Sequence, residues 1–163
     1  MEYSGTKWLD VGLGGVFMSG LPKFTGRFEH NLDDKGRLTI PARFRARLGD
    51  HFVLTIAPPE TCLAMYPDAT WSEFCAKLEA ASRKDNRYRS FVRHLFANTE
   101  EVTLDAQGRL VVPAALRDYA KVVHDVVLVG ALTRVELWPA EGWKAGSKPP
   151  DGMAELMTEL GLY

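Results

Sequence analysis

Cysteine is scarce in this 163-residue sequence, which contains only Cys62 and Cys75. Two isolated cysteines give neither the paired spacing of a zinc site nor a disulfide framework. We therefore expect two buried thiols in a protein of the reducing cytosol. Histidine is also uncommon, and its four residues are scattered along the chain: His30, His51, His94 and His124. The sequence predicts no bound metal and no other cofactor.

Long apolar runs are also missing, because no stretch reaches the roughly 18 residues needed to span a membrane. The first twenty residues make a poor signal peptide, since Asp10 and several glycines interrupt their apolar part. We expect residues 1–23 to form a flexible extension, with Met18 as an alternative start. The sequence therefore predicts no membrane partner.

Motifs of catalysis are absent as well. The sequence has no His-x-x-x-His pair and no Gly-x-Ser-x-Gly, and the glycines at 12–15 lack the Gly-Lys-Ser/Thr of a phosphate-binding loop. We therefore expect no catalytic residues, no enzymatic activity and no small-molecule substrate.

The chain lacks the strong positive charge that is typical of small nucleic-acid binders, since its formal net charge is −1. The charge is unevenly distributed, however. Residues 23–47 hold seven basic and three acidic side chains, and residues 83–94 hold five and one. Residues 98–163 hold six basic and ten acidic side chains. This polarity suggests a nucleic-acid-binding face on one part of the molecule.

An internal repeat is the strongest pattern that the sequence does contain. Residues 32–45 are LDDKGRLTIPARFR and residues 104–117 are LDAQGRLVVPAALR, with eight of fourteen columns identical at an offset of 72. The same offset relates Tyr66-Pro67 to Trp138-Pro139 and Trp71 to Trp143. The repeating unit is therefore a whole module rather than a short coincidence.

Each module is predicted to fold as strand, turn, strand, short helix, strand, strand. The Asp-x-x-Gly segments favour tight turns, because glycine supplies positive φ, and the following β-branched residues favour strands. Pro41 and Pro113 suit the first turns of helices at 42–48 and 114–120. Later strands are expected at 52–56, 63–66, 126–129 and 134–138. Between the modules, two helices with apolar stripes are expected, and their aromatic residues are expected to be core.

The Asp-x-x-Gly-Arg-hydrophobic-x-hydrophobic-Pro-x-x-hydrophobic-Arg pattern resembles the AbrB-type swapped-hairpin module. Two copies, each followed by Tyr/Trp-Pro and then Trp, resemble the MraZ family over roughly residues 24–143. The resemblance implies a β-rich α+β fold in which two swapped-hairpin modules form a pseudo-symmetric barrel. The expected parts are an N-terminal extension, two modules around a helical pair, and a tail: 1–23, 24–71, 72–97, 98–143 and 144–163.

The same resemblance implies a function. It predicts a transcriptional regulator that binds double-stranded DNA at repeated short boxes, upstream of the division and cell-wall gene cluster that includes its own gene. It also implies a ring-shaped homo-oligomer in the cytoplasm, associated with the nucleoid. Two alternatives stay open. One is a structural ring that acts through protein contacts, and the other is an antitoxin-like AbrB protein, although such chains usually carry one module.

The predicted DNA-binding residues are cations of the two turns and of the first short helix: Lys35, Arg37, Arg43, Arg47 and Arg109. An arginine can donate two hydrogen bonds to guanine, whereas a lysine acts as a point charge on phosphate. Gln107 replaces Lys35 in the second copy. We therefore expect the first turn to contribute more to DNA binding than the second.

Two other repeated pairs are expected to be structural. Asp33 and Asp105 should accept hydrogen bonds within the turns, because a carboxylate repels phosphate. Arg45 and Arg117 occupy the same column of the repeat, so a shared structural role is expected for them.

Overall fold

The computed structural model describes residues 8–10, 16–18 and 20–162. Two short strands, β1 (Trp8–Asp10) and β2 (Val16–Met18), pair antiparallel within the predicted N-terminal extension. The rest of that predicted extension up to residue 19, including its proposed flexibility, lies outside the described residues. The first module then contains β3 (Arg27–Asn31), β4 (Arg37–Thr39), α1 (Ala42–Leu48), β5 (His51–Ile56) and β6 (Leu63–Pro67).

The second module repeats this order of elements. It contains β7 (Thr99–Thr103), β8 (Arg109–Val111), α4 (Ala114–Ala120), β9 (Asp125–Gly130) and β10 (Val135–Pro139). Each module is followed by two helices, which are α2 (Asp68–Lys84) and α3 (Arg87–Ala97), then α5 (Ala140–Gly146) and α6 (Met153–Glu159). The predicted succession of strands and helices is confirmed in both modules. None of the helices in the described ranges has the length and apolar character needed to cross a membrane.

The two modules exchange strands. A six-stranded antiparallel sheet has the order β3-β9-β10-β6-β5-β7, so the first strand of each module pairs with a strand of the other. Strands β4 and β8 pair with each other in a separate antiparallel ribbon. This exchange confirms the swapped-hairpin fold.

A pseudo-twofold axis relates the modules. Leu38 is paired with Leu110 at the centre of the ribbon, and Ala64 is paired with Glu136 between β6 and β10, both at an offset of 72. Strands β5 and β9 start at residues 51 and 125, an offset of 74. The second module thus has two additional residues before β9, and its next hairpin is two residues shorter.

One consequence of this shift is that Asp50 and His124 are structurally equivalent. The backbone oxygen of Asp50 accepts a hydrogen bond from the N–H of Leu104 at 2.8 Å. The backbone oxygen of His124 accepts one from the N–H of Leu32 at 2.9 Å. The backbone oxygen of each residue therefore binds the segment of the other module that leads into the turn of that module.

The hydrophobic core lies between the ribbon and the larger sheet. Leu38 and Leu110 on the inner face of the ribbon belong to the same buried cluster as Phe52, Leu54 and Leu128 of the six-stranded sheet. Two sheets therefore enclose one core, and among the described strands the β4–β8 ribbon is joined to the larger sheet by side-chain packing rather than by strand pairing.

The helical pair is only partly buried by its own subunit. Trp71 of α2 contacts Phe74 and Phe96 at ring-centroid distances of 5.3 and 5.5 Å. On α3, however, Tyr88, Phe91 and Phe96 are 37–40% exposed. The expectation that the whole aromatic stripe is core is therefore wrong for an isolated subunit, because α3 turns only part of its apolar surface toward the sheet.

Candidate nucleic-acid interface

The first turn is organised by the side chain of Asp33. Its Oδ1 accepts hydrogen bonds from the backbone N–H groups of Lys35 and Arg37, both at 2.9 Å, and its Oδ2 accepts one from Arg37 Nε. The hydrogen bond from the Arg37 backbone lowers the pKa of Asp33, and the Arg37 side chain adds to the effect. Gly36 has a φ of 74°, the left-handed conformation that glycine favours. The predicted structural role of Asp33 is confirmed.

The second turn repeats this geometry. Asp105 Oδ1 accepts hydrogen bonds from the backbone N–H groups of Gln107 and Arg109, and Oδ2 accepts one from Arg109 Nε, all at 2.9 Å. These hydrogen bonds, chiefly that from the Arg109 backbone, lower the pKa of Asp105. One contact is new, because Arg109 Nη2 also donates to the side-chain oxygen of Gln107 at 2.8 Å. The Arg109 guanidinium is therefore more fully engaged within its turn than that of Arg37.

Both arginines lie on the outer face of the β4–β8 ribbon. Side chains alternate along a strand, so the burial of Leu38 and Leu110 places Arg37, Thr39, Arg109 and Val111 on the opposite face. Arg37 pairs with Val111, two residues beyond Arg109, which puts the Cα atoms of the two arginines about 7–8 Å apart. The ribbon thus carries two arginines on one face, at diagonal positions.

The arrangement is suited to a polyanionic ligand whose bases present hydrogen-bond acceptors at their edges. Each arginine uses Nε to bind the carboxylate of its turn, and this contact orders the long side chain. No described residue accepts a hydrogen bond from the terminal nitrogens of Arg37. Lys35 is exposed beside it at the tip of the first turn. The major groove of B-DNA, about 12 Å wide, admits a two-stranded β-ribbon.

Arg43 and Arg47 are not brought to the turns by any contact in the described residues. Arg43 Nη2 donates to Thr25 Oγ1 at 2.6 Å, and Arg47 Nη1 donates to the backbone oxygen of Lys23 at 2.7 Å. Arg43 and Arg47 lie one helical turn apart on α1, and their hydrogen bonds thus hold the segment that leads into β3. Phosphate contact by either arginine stays a prediction.

Arg45 and Arg117 contact the turns across the module boundary. A Cβ on Gly36 would lie 3.1 Å from Arg117 Cζ, and a Cβ on Gly108 would lie 2.7 Å from Arg45 Nη1. The arginine of each module therefore packs against the turn glycine of the other. Arg45 and Arg117 occupy the same column of the repeat, and this identity was the sequence signal for a shared role. The sequence alone could not show which turn each arginine contacts, because that depends on the strand exchange.

The strand exchange brings residues from the basic and the acidic parts of the sequence together in space. Arg117 belongs to the acidic part of the sequence, yet it lies against the first turn, while Arg45 from the basic part lies against the second. The ribbon itself contains one strand from each part. Position along the sequence therefore does not separate basic from acidic surface at the turns.

Comparison with known proteins also divides the chain into two consecutive parts. The family model for MraZ protein, which is described as antitoxin-like, matches residues 23–94 and again residues 95–149. The chain belongs to the MraZ family. Each matched range contains one Asp-x-x-Gly-Arg turn, so the double match agrees with the two modules of the fold.

Relatives of similar length support this assignment. The chain is 41% identical over 136 residues to the transcriptional regulator MraZ of Desulforamulus reducens, covering 83% of this chain and 95% of the relative. It is 39% identical over 142 residues to the protein of the same name from Clostridium acetobutylicum, covering 85% and 99%. The protein of that name from Thermoanaerobacter pseudethanolicus is 41% identical over 141 residues, covering 84% and 98%.

Proposed function

We propose that this MraZ-family protein is a transcriptional regulator that binds specific double-stranded DNA through the outer face of the β4–β8 ribbon. The observation that carries the proposal is the pair Arg37 and Arg109, which lie at diagonal positions on the outer face of the ribbon and are each held by a turn aspartate. The names of the relatives, transcriptional regulator MraZ, agree with this function.

In the proposed complex the ribbon enters the major groove. Arg37 donates two hydrogen bonds to a guanine edge, and Lys35 neutralises a neighbouring phosphate. Asp33 holds Arg37 before DNA arrives, so less side-chain entropy is lost on binding. Arg109 makes the equivalent, weaker contact, and Arg43 and Arg47 are proposed to reach phosphates beside the turns.

A homo-oligomer would make these small sites effective. One subunit offers only a few cations, which fits a net charge of −1. A ring that aligns several ribbons along repeated short boxes would raise the affinity, because later contacts form at high effective concentration. The expected target is the DNA upstream of the division and cell-wall gene cluster, including its own gene, and the protein would then be associated with the nucleoid.

Footprinting of the purified protein on the DNA upstream of its own gene is the direct test of this function. Protection of short repeated boxes is expected. A uniform footprint, or none at physiological salt, would contradict sequence-specific binding.

The protein is expected to form oligomers rather than an 18.2 kDa monomer. The exposed aromatic residues of α3, Tyr88, Phe91 and Phe96, provide apolar surface that an isolated subunit leaves uncovered. Light scattering should therefore give a mass several times that of one chain. A stable monomer at micromolar concentration would remove the multivalent mechanism.

The same exposed surface favours a second candidate function, a structural ring that acts through protein contacts alone. Salt dependence separates the two candidates. A DNA regulator loses affinity steeply as salt rises, because it displaces counterions from phosphates. A structural ring would give no DNA shift at any salt concentration.

Arg37→Ala is expected to weaken DNA binding more than Arg109→Ala. The guanidinium of Arg109 is shared with Gln107 as well as Asp105, and its turn lacks the lysine of the first. The loss of one positive charge near the phosphates should also flatten the slope of log affinity against log salt, by no more than about 0.9 per site engaged. Fluorescence anisotropy between 50 and 200 mM salt would measure both effects. Equal losses, with unchanged oligomer mass, would show that the two turns contribute equally.

A further inference from the structure

The two cross-module arginines differ in how their charge is compensated. Arg45 Nε donates to Asp50 Oδ1 at 2.9 Å. Arg117 Nε is buried, and no described residue accepts a hydrogen bond from it. The residue equivalent to Asp50 is His124, whose Nδ1 lies 2.9 Å from Asp125 Oδ1. The second module therefore offers no carboxylate to Arg117 at the position where the first module offers one to Arg45.

This difference gives the turns different local charge, because each arginine lies at the turn of the opposite module. The first turn gathers three cations, Lys35, Arg37 and Arg117, against the carboxylates of Asp33 and Asp34. The second gathers Arg109 and Arg45 against Asp105 and Asp50, with no lysine. The first turn thus carries net positive charge, whereas the second is balanced.

We propose that Arg117 of the second module joins Lys35 in a composite phosphate-binding site at the first turn, beside the base-reading Arg37. The site deepens the DNA-binding function proposed above and rests on it. Arg117 is placed for this role because its guanidinium carbon lies 3.1 Å from the position of a Cβ on Gly36, the residue between the other two cations. A guanidinium without a carboxylate partner gains most from a phosphate, since charge-assisted hydrogen bonds are the stronger ones.

The φ of 74° at Gly36 disfavours any residue with a side chain. A Cβ there would lie 3.1 Å from the guanidinium carbon of Arg117, so the guanidinium would have to shift by a few tenths of an ångström. The arginine therefore serves the first turn in two ways, as a support beneath the glycine and as a charge for the ligand. A test must change the charge and leave the support in place.

His124→Asp is the variant that meets this requirement. It places a carboxylate at the position equivalent to Asp50, and the His124 side chain is 59% exposed, so the fold should tolerate the change. Val123→Asp is the matched control, because Val123 is 86% exposed and gains the same negative charge one residue away. Both full-length variants would be titrated against a duplex from upstream of the protein's own gene, at 50 to 200 mM salt.

His124→Asp is expected to lose several-fold more affinity than Val123→Asp, and to flatten the salt slope by about 0.9 per site engaged. Asp50→Asn should have the opposite effect and steepen the slope, because it frees the charge of Arg45 at the second turn. Equal behaviour of His124→Asp and Val123→Asp would overturn the composite site. Should His124→Asp alter the oligomer mass, Arg117→Gln and Arg45→Gln replace it, and the composite site predicts the greater loss for Arg117→Gln.

Arg37→Ala separates this inference from the proposed function. If Arg37→Ala leaves DNA affinity unchanged, the ribbon is not the DNA-binding face and both proposals fail. If Arg37→Ala removes binding while His124→Asp matches Val123→Asp, the ribbon binds DNA and only the role of Arg117 is overturned.

Discussion

Replacing Lys35 and Arg37 together by alanine is expected to abolish specific DNA binding without changing the fold or the oligomer. Arg37 is anchored only through Nε to Asp33 among the described residues, and Lys35 is exposed at the turn tip, so neither side chain supports the core. A base-reading arginine contributes about 1–3 kcal/mol to discrimination. In a ring every engaged subunit loses that contact, and the combined loss exceeds what specific binding can tolerate.

A gel-shift titration at physiological salt is the measurement for this double variant. The matched control removes two cations from α2 instead, as Lys77→Ala with Arg83→Ala, whose side chains are 70% and 78% exposed. The control should change affinity only slightly, through the general loss of positive charge. Wild-type affinity in the Lys35/Arg37 variant would exclude the first turn from DNA recognition.

The order of elements could be predicted from the sequence because the repeat supplied it twice. Helices α1 and α4 have the predicted bounds, since Pro41 and Pro113 set their starts. The predicted later strands differ from β5, β6, β9 and β10 by about one residue at their ends. Local conformational propensities are sufficient to predict such elements. The repeat at a fixed offset gave each prediction twice, which made accidental agreement between the two copies improbable.

The exchange of strands between modules is not a local property, and the sequence indicated it only through the family resemblance. Hydrophobic periodicity shows which face of a strand is buried, but not which strand is its neighbour. For the same reason Arg45 and Arg117 were identified as a structural pair without their partners. The equivalence of Asp50 and His124 was hidden, because the uniform offset of 72 aligns Asp50 with Val122 instead.

The roles of Arg43 and Arg47 show a further limit. Their i,i+4 spacing correctly placed both on one exposed face of α1, and exposure together with positive charge favoured phosphate contact. The structure shows that this face meets the segment at 23–25, a long-range contact that no local pattern encodes. A basic side chain in such a segment can therefore already be hydrogen-bonded to its own chain before a ligand binds.

Leu38→Ala is expected to give the largest loss of stability of any change in the ribbon. Leu38 is 0% exposed and pairs with Leu110 on the pseudo-twofold axis, where the ribbon packs on the six-stranded sheet. Truncating a buried leucine to alanine costs about 2–5 kcal/mol, because apolar contacts are lost and a cavity remains. Since native domains are stable by only about 5–15 kcal/mol, this is a large fraction of the total.

Thermal unfolding followed by circular dichroism would measure the effect, with Val111→Ala as the matched control on the same ribbon. Val111 is 59% exposed on the outer face, so its truncation should change the unfolding free energy by no more than about 0.5 kcal/mol. The melting temperature of Leu38→Ala should fall by roughly 2–4 °C per kcal/mol lost. Equal melting temperatures for the two variants would mean that the ribbon does not close the core. In that case Arg37 and Arg109 would lack the rigid support on which DNA recognition by this face depends.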